Sequence, residues 1–260
     1  MPTLRSFVPL LTALMLSACA AFTSSVDDPE NWPAEKFYQE GKRAMDVGDY
    51  EVAIEHFEDL IARFPFGAYA QQAQLNIAYA YYKFEEPESA VAAADQFIKL
   101  YPRHPRVDYA YYIKGLARMP TMGPLERWFE TDPGQRDPRP AQEAYRYFSE
   151  LIRKFPGSPY AADAAQRMIY LREVLARNEL YAARFYMEKG AYVAAANRAK
   201  FILEHYDQTP AIPAALKIMS EAYQHLGLSD LAADARRVLS LNFPDTGASK
   251  EQPAAGGTGD

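Results

Sequence analysis

The chain has 260 residues, of which 49% are hydrophobic and 24% are charged, a balance typical of a folded globular protein. Its 34 acidic residues outnumber 28 basic ones, and the net charge of −6 argues against nucleic acid as a partner. It has one cysteine, so no internal disulfide can form and packing alone must stabilise the fold.

Residues 1–18 have the composition of a bacterial lipoprotein signal peptide. Arg5 precedes an apolar run from Phe7 to Leu16, which is shorter than the roughly 20 residues that span a bilayer. The run ends in Leu-Ser-Ala-Cys, with a branched aliphatic residue three positions before Cys19 and small residues between them. We therefore expect Cys19 to carry covalent N-acyl and S-diacylglycerol lipid. The alternative is an ordinary secretory signal with an unrelated cysteine.

The residues around Cys19 also predict a location and two disordered ends. Ala20 stands where an acidic residue would favour retention in the inner membrane, so we expect the outer membrane, on its periplasmic face. Residues 19–33 are rich in Ser, Asp and Pro, and residues 245–260 are rich in Gly and Ala without large apolar side chains. We predict that the first segment is a disordered, lipidated linker and the second a disordered tail. No cofactor other than the lipid is expected.

The sequence between the linker and the tail is repetitive. It is punctuated by aromatic residues followed by Pro or Asp, and an alanine stands twelve residues before the second member of each pair. These alanines are Ala53, Ala90, Ala144, Ala195 and Ala232. The layout is typical of tetratricopeptide repeats, in which two antiparallel helices approach closely at a small residue. The predicted fold class is therefore all-α, a solenoid of five helix-turn-helix repeats.

The regular repeats give helix boundaries directly. In the first, one helix is predicted over residues 34–47, a turn follows at Gly48 and Asp49, and a second helix runs over residues 50–64. Pro65 ends that helix because proline lacks an amide hydrogen and clashes with the preceding turn. The second repeat covers residues 68–101 and the fifth covers residues 211–243, with ends uncertain by a residue or two.

Two repeats depart from the period. In the third, helix A at 106–119 and helix B at 141–155 are separated by residues 120–140, whose five prolines and two glycines predict a loop that leaves the solenoid. In the fourth, residues 160–189 contain neither Gly nor Pro, which predicts one extended first helix. The N-terminal half of the solenoid would then be residues 34–119 and the C-terminal half residues 141–244.

Several segments resemble the BamD family, the tetratricopeptide lipoproteins of the outer-membrane β-barrel assembly machine. The longest is FPFGAYAQQAQLNIAYAYYK at residues 64–83. Shorter ones are HPRVDYAYYIKGL at residues 104–116, RDP at 136–138, FPGSPYAADA at 155–164 and EKGAYVAAANR at 188–198. The resemblance covers residues 16 to 244 and is lost in much of the insertion and in the tail.

This resemblance implies a non-enzymatic scaffold that binds the periplasmic domains of the barrel subunit BamA and unfolded outer-membrane β-barrel proteins. It matches Arg198 to a basic residue at the BamA contact, and it implies that the N-terminal repeats receive the C-terminal strand signal of substrates. BamC- and BamE-like lipoproteins are further implied partners. In the insertion, Trp128 and Phe129 are candidate partner contacts that could instead fold back onto helix A. Arg136 and Asp137 of the RDP segment are candidates as well.

Tyrosine is the residue type that the sequence itself offers for substrate binding. The chain has 19 tyrosines, and those three or four positions apart share one helix face. Amphipathic rings along a groove suit an extended ligand with an aromatic end, although each ring could instead belong to the packing between repeats. The candidates are Tyr69, Tyr79, Tyr82, Tyr109 and Tyr112.

A catalytic function finds little support in the sequence. The four histidines are scattered without metal-binding spacing, and we find no nucleophile elbow, P-loop or dinucleotide fingerprint. We therefore predict that the protein is not an enzyme. One alternative is a lipoprotein enzyme acting on peptidoglycan, which would need a catalytic pocket. Another is a pilotin-type tetratricopeptide lipoprotein for secretin or pilus assembly, which would share the lipobox and solenoid but lack the 64–83 segment.

Overall fold

The structure is a computed structural model that describes residues 29–120 and 132–244. Over these two ranges it has ten α-helices and no strand, which confirms the predicted all-α class. The helices are α1 (Ala34–Val47), α2 (Tyr50–Arg63), α3 (Ala68–Lys83), α4 (Pro87–Leu100), α5 (Val107–Ala117), α6 (Arg139–Lys154), α7 (Ala161–Glu188), α8 (Tyr192–His205), α9 (Ile212–His225) and α10 (Ser229–Asn242).

Several predictions fall outside the described residues. They concern the signal peptide, the lipid on Cys19, the linker up to residue 28, the insertion residues 121–131 with Trp128 and Phe129, and the tail. No helix in the described ranges combines the length and the apolar character that crossing a bilayer requires.

The chain forms two compact units, residues 1–73 and residues 74–260. In the described part of the first unit, α1 and α2 pack against each other. In the second unit, every helix from α4 to α10 packs on the next helix along the chain. Because short turns join most of these neighbours, consecutive helices run antiparallel and most contacts are local in sequence.

Turn residues end the first helices as the sequence predicts. Gly48 follows α1 with a φ of +83°, a left-handed conformation that favours glycine. Asp49 then caps α2, because its Oδ1 accepts a hydrogen bond from the backbone N–H of Val52 at 3.3 Å. The last residue of α2 is Arg63, two positions before Pro65.

The periodic alanines lie at the most buried points of the helix pairs. All five have 0% exposure: Ala53, Ala90, Ala144, Ala195 and Ala232. The preceding helix carries a buried small residue twelve positions before each of these alanines, except across the insertion, where the separation is larger: Gly41, Ala78, Gly115, Ala183 and Ser220. In the last pair, Ser220 Oγ donates a hydrogen bond to the carbonyl oxygen of Ala232 at 3.1 Å. Small residues on both helices therefore set the close approach.

Two of the small residues are glycines because an aromatic ring occupies the space of a Cβ. A Cβ on Gly41 would lie 2.6 Å from Phe57 Cε1, and a Cβ on Gly115 would lie 2.3 Å from Phe148 Cε1. Both rings are fully buried, and each stands four residues after its periodic alanine. The ring of one helix thus fills the gap that the glycine of the other leaves open.

Part of the predicted linker is ordered. Residues 29–31 form a 3₁₀ turn, and the Trp32 ring packs edge-on against Phe37 with centroids 5.2 Å apart. Arg63, at the end of α2, donates Nη1 to the carbonyl oxygens of residues 29 and 30 at 3.1 and 3.2 Å. These contacts correct the predicted boundary, because they fix residues 29–33 that the sequence assigned to a disordered linker.

The end of the insertion also differs from the prediction. Helix α6 begins at Arg139, two residues before the predicted start, and residues 132–136 dock on α7 instead of leaving the solenoid. The docking depends on Asn178 of α7, whose Nδ2 donates to the carbonyl oxygens of Gly134 and Arg136 at 2.8 and 3.0 Å. The backbone carbonyl oxygens of the segment therefore accept hydrogen bonds from a side-chain amide, where those of an exposed loop would accept them from water.

Two further side chains of α7 hold the docked segment. The Tyr181 hydroxyl donates to Asp132 Oδ2 at 2.9 Å, and Arg177 Nε lies 3.2 Å from Asp132 Oδ1. Gly134 sits so close to α7 that a Cβ there would lie 2.7 Å from the Cβ of Arg177. Helix α7 itself has 28 residues, close to the 29 predicted, and spans about 42 Å at 1.5 Å per residue.

Candidate functional site

Four of the five predicted tyrosines lie in the second unit as two pairs, and Tyr79 of one pair is near enough to Tyr109 of the other to act on it electrostatically. On α3, the rings of Tyr79 and Tyr82 have centroids 6.1 Å apart, and on α5 those of Tyr109 and Tyr112 are 6.4 Å apart. Tyr160, just before α7, stacks on Tyr112 at 4.9 Å and lies 5.1 Å from Tyr109. All five rings are half-buried. We call these five residues the tyrosine cluster.

The sequence predicted the two helix pairs of tyrosines but missed Tyr160. The spacing of three residues brings each pair onto one helix face, as expected. A signal for Tyr160 was nevertheless present, because it stands five residues after Phe155, as Tyr69 stands five residues after Phe64. The same position of the repeat therefore carries a tyrosine twice.

Burial raises the pKa of two hydroxyls of the cluster, those of Tyr109 and Tyr112. Burial, reinforced by the neighbouring Tyr79, raises the pKa of Tyr109, whose ring also faces the Arg106 guanidinium at 4.9 Å. Burial and a hydrogen bond to Asp163 raise the pKa of Tyr112 to about 12. Both groups are consequently hydrogen-bond donors throughout the physiological pH range.

A carboxylate links the cluster to α7. Asp163 accepts hydrogen bonds from the Tyr112 hydroxyl and from Arg167 Nε, four residues later on the same helix. Burial alone would raise the pKa of Asp163, but these two hydrogen bonds lower it. Close by, Ser158 Oγ donates to Asp108 Oδ2 at 2.7 Å. Together these contacts hold the start of α7 against α5 and fix the rings between them.

The fifth candidate, Tyr69, belongs to the first unit. Its ring lies 5.4 Å from that of Tyr38, and its side chain is 37% exposed. Desolvation and the nearby carboxylate of Glu35 raise the pKa of Tyr69. Tyr111, which sits between two cluster residues in the sequence, is by contrast buried and packs against Phe155 with ring centroids 5.6 Å apart. For Tyr111 the packing interpretation is therefore the right one.

Arg198 lies on α8 and pairs within the chain. Its Nη1 is 3.0 Å from Oε2 of Glu179 on α7, and this hydrogen bond raises the pKa of Arg198. The side chain of Arg198 is 47% exposed, whereas that of Glu179 is 15% exposed. The cation is therefore held against α7 with about half of its surface open.

An exposed aromatic side chain lies beside Arg198 on the same helix. Phe201, three residues after Arg198 and on the same face, is 36% exposed, and its ring stacks on His205 at 4.0 Å. We call Arg198 and Phe201 the α8 surface. An exposed arginine beside an aromatic ring is a combination found at the energetic centres of protein–protein interfaces.

The described candidates of the insertion lie at its ordered end. Asp137 pairs with Arg139 at 2.7 Å, and the hydrogen bond from that guanidinium lowers the pKa of Asp137. Arg136 is half-buried, and a cavity of about 360 Å³ opens beside both residues, between the start of α4 and the end of α5. Within the described ranges, no three His, Cys, Asp or Glu side chains are grouped so that they could hold a metal ion.

Comparison with known proteins identifies the family. Residues 30–239 match the model of a family described as "YfiO: Outer membrane lipoprotein". A protein of Neisseria meningitidis serogroup A named outer membrane protein assembly factor BamD is 44% identical over 235 residues, which cover 89% of this chain and 88% of the relative. The chain belongs to the BamD family.

More distant members of the BamD family extend over a similar length. The Vibrio cholerae relative is 37% identical and covers 88% of this chain and 95% of its own. The Haemophilus influenzae relative is 33% identical and covers 97% of this chain and 96% of its own. These matches confirm the resemblance found in the sequence segments. A solved tetratricopeptide protein of Thermus thermophilus has a TM-score of 0.35 at 16% identity, over 82% of this chain and 93% of its own.

Proposed function

We propose that the protein is a non-enzymatic scaffold of the outer-membrane β-barrel assembly machinery, which binds the barrel subunit BamA and unfolded outer-membrane proteins. Membership of the BamD family supports the assembly role, because its relatives are named outer membrane protein assembly factors. The proposed location is the periplasmic face of the outer membrane, held there by lipid on Cys19. Membership of this family also leaves the pilotin and peptidoglycan-enzyme alternatives without a supporting observation.

The tyrosine cluster is the observation that carries the proposed substrate binding. Its half-buried rings offer aromatic surface, and the hydroxyls of Tyr109 and Tyr112 remain protonated. A terminal Phe or Trp of an extended peptide carries about 150–250 Å² of surface that could be buried on such rings. The peptide backbone could meanwhile accept hydrogen bonds from the Tyr109 hydroxyl and from the guanidinium groups of Arg106 and Arg167.

Crosslinking to a peptide with the aromatic C-terminal strand signal tests this proposal. Replacing Tyr79 and Tyr82 together by Ala should reduce crosslinking per folded molecule about tenfold or more, since each buried aromatic contributes on the order of 1 kcal/mol or more. Replacing both by Phe keeps the rings and should retain most of the crosslinking. Tyr192→Ala on α8 is the matched control, because it removes a half-buried tyrosine outside the cluster. A lowered melting temperature with unchanged crosslinking would mean that Tyr79 and Tyr82 only pack.

The proposed BamA contact is the α8 surface. A partner carboxylate that reaches the open half of the Arg198 guanidinium would form a second charged pair beside Glu179. We expect Arg198→Gln to weaken co-purification with the barrel subunit, by about 2–5 kcal/mol if the contact is buried and much less at an exposed rim. Lys200→Gln removes a cation from the same helix at a more exposed position and serves as the control. If both variants co-purified with the barrel subunit equally well, Arg198 would not be part of the contact.

The anchor and the accessory partners complete the proposal. Cys19→Ala should leave the protein unprocessed or released into the soluble periplasmic fraction, and mass spectrometry of the mature N-terminus should find lipid on Cys19 of the unaltered chain. An unmodified Cys19 would contradict the anchor. BamC- and BamE-like lipoproteins are proposed as further partners, with candidate contacts at Trp128, Phe129, Arg136 and Asp137.

A further inference from the structure

The turn between α2 and α3 exposes aromatic surface in the first unit. Phe66 is 91% exposed and Phe64 is 36% exposed, with Pro65 between them and Gly67 in a left-handed conformation at φ +104°. We call residues 64–67 the aromatic turn. The apolar side chains of this tight turn point away from the helix pair. Exposed apolar patches of this kind mark surfaces that bind a membrane or another protein.

The aromatic turn lies at the end of the unit where the chain enters from the expected lipid anchor. Helix α1 starts at this end and α2 returns to it, because the two helices run antiparallel. Arg63 marks the meeting point, since its guanidinium bonds to the carbonyl oxygens of residues 29 and 30. Phe66 follows Arg63 by three residues, a chain length of at most about 11 Å.

The length of chain before residue 29 limits how far this end can be from a membrane. Nine residues separate Cys19 from Pro29, so their Cα atoms can be no more than about 36 Å apart. The opposite end of the helix pair is marked by Val47, the last residue of α1, which is 77% exposed and lies about 20 Å along the helix from Ala34. The tether therefore enters the unit at the end that carries the aromatic turn. Because the tether is longer than the helix pair, it reaches both ends, and the apolar surface of the turn itself must decide which end meets the bilayer.

We propose that the aromatic turn inserts into the phospholipid surface to which the chain is tethered, so that Phe66 and the lipid on Cys19 attach the first unit at two points. This inference rests on the lipid anchor of the proposed function. Aromatic side chains are favoured at the membrane interface, and a second attachment restricts the rotation that a flexible tether alone leaves free. The surface involved is zwitterionic, because the acidic balance of the chain disfavours a strongly anionic one.

The single cysteine makes the test direct. In the full mature chain with a lipidated Cys19, Ala68→Cys introduces the only free thiol, at an exposed position two residues after Phe66. An environment-sensitive fluorophore attached to this thiol is read on phosphatidylethanolamine–phosphatidylcholine vesicles that contain doxyl-labelled quencher lipids. We expect a blue shift and quenching at position 68. We expect neither for the same fluorophore at Val47→Cys.

Adding Phe66→Asp to the labelled chain supplies the decisive comparison. The exposure of Phe66 means that this change should leave the melting temperature unaltered while abolishing the quenching at position 68. Quenching that persists in the Phe66→Asp chain, or that is equal at positions 68 and 47, would overturn the proposal. A fluorophore at 68 that responds in solution to a peptide with the strand signal, and not to vesicles, would overturn it too and assign the turn to substrate.

Failure of the anchor gives a different signature. An unlipidated Cys19 would itself take up the fluorophore, and mass spectrometry would report both the missing lipid and the second label. The same chain with Cys19→Ser and an N-terminal histidine tag, tethered to nickel-chelating lipid, then repeats the measurement without the natural anchor. Quenching at 68 in that arrangement supports insertion of the aromatic turn, and its absence overturns it.

Discussion

Alanine in place of Gly115 tests how closely α5 and α6 must approach. Its Cβ would lie 2.3 Å from Phe148 Cε1 and 2.6 Å from Cδ1, about 1 Å inside ordinary contact. Because the Phe148 ring is fully buried, the helices must separate or the ring must leave its preferred rotamer. Overpacking of this kind costs about 1–3 kcal/mol, and alanine regains at most about 1 kcal/mol of helix propensity. We expect a net loss of roughly 1–2 kcal/mol.

Urea unfolding followed by far-ultraviolet circular dichroism measures this loss. The matched control is Gly157→Ala in the turn before α7, where a Cβ meets nothing within 4 Å and should be neutral or slightly stabilising. The double variant Gly115→Ala with Phe148→Leu should lose less free energy of unfolding than the two single variants lose together. The reason is that the smaller leucine side chain frees the space that the new methyl group occupies. Unfolding of Gly115→Ala at the same urea concentration as Gly157→Ala would refute the steric argument, and so would strict additivity.

Two further predictions concern α7 and its neighbours. Hydrogen bonds hold the folded pKa of Asp163 below its ordinary 3.8, so the ionised carboxylate stabilises the fold fully above that pH and this contribution disappears as the pH falls through the lower folded value. Asp163→Asn should therefore lower the melting temperature at neutral pH and change it little in strong acid. An equal loss of melting temperature at the two pH values would contradict this linkage. Gly134→Ala should speed amide hydrogen exchange in residues 132–136 without changing the helix content, because the new Cβ would lie 2.7 Å from the Cβ of Arg177. Unaltered exchange would show that the segment accommodates the methyl group.

The sequence predicted those parts of the fold that require residues of a particular size or spacing within a short stretch of chain. Close helix approach demands small residues at a fixed spacing, and a long helix demands a stretch without Gly or Pro, so the helix pairs and α7 were visible. The docking of residues 132–136 depends on three side chains of α7 that lie more than forty positions away, those of Arg177, Asn178 and Tyr181. The pairing of Arg198 with Glu179 likewise joins two helices through side chains whose identity follows no periodic pattern. Tyr160 was recoverable, because its position repeats that of Tyr69.

The length of α7 has a consequence for how motion spreads through the second unit. Tandem helical repeats commonly open one segment at a time, since each contacts only its neighbours. Helix α7 instead contacts α6, α8, α9 and the docked end of the insertion. Its first turn holds Asp163 beside the tyrosine cluster, and Glu179, sixteen residues later, holds Arg198. One continuous helix thus connects the surface proposed for substrates to the surface proposed for the barrel subunit, and we expect a tilt of α7 imposed at one of these surfaces to displace the other.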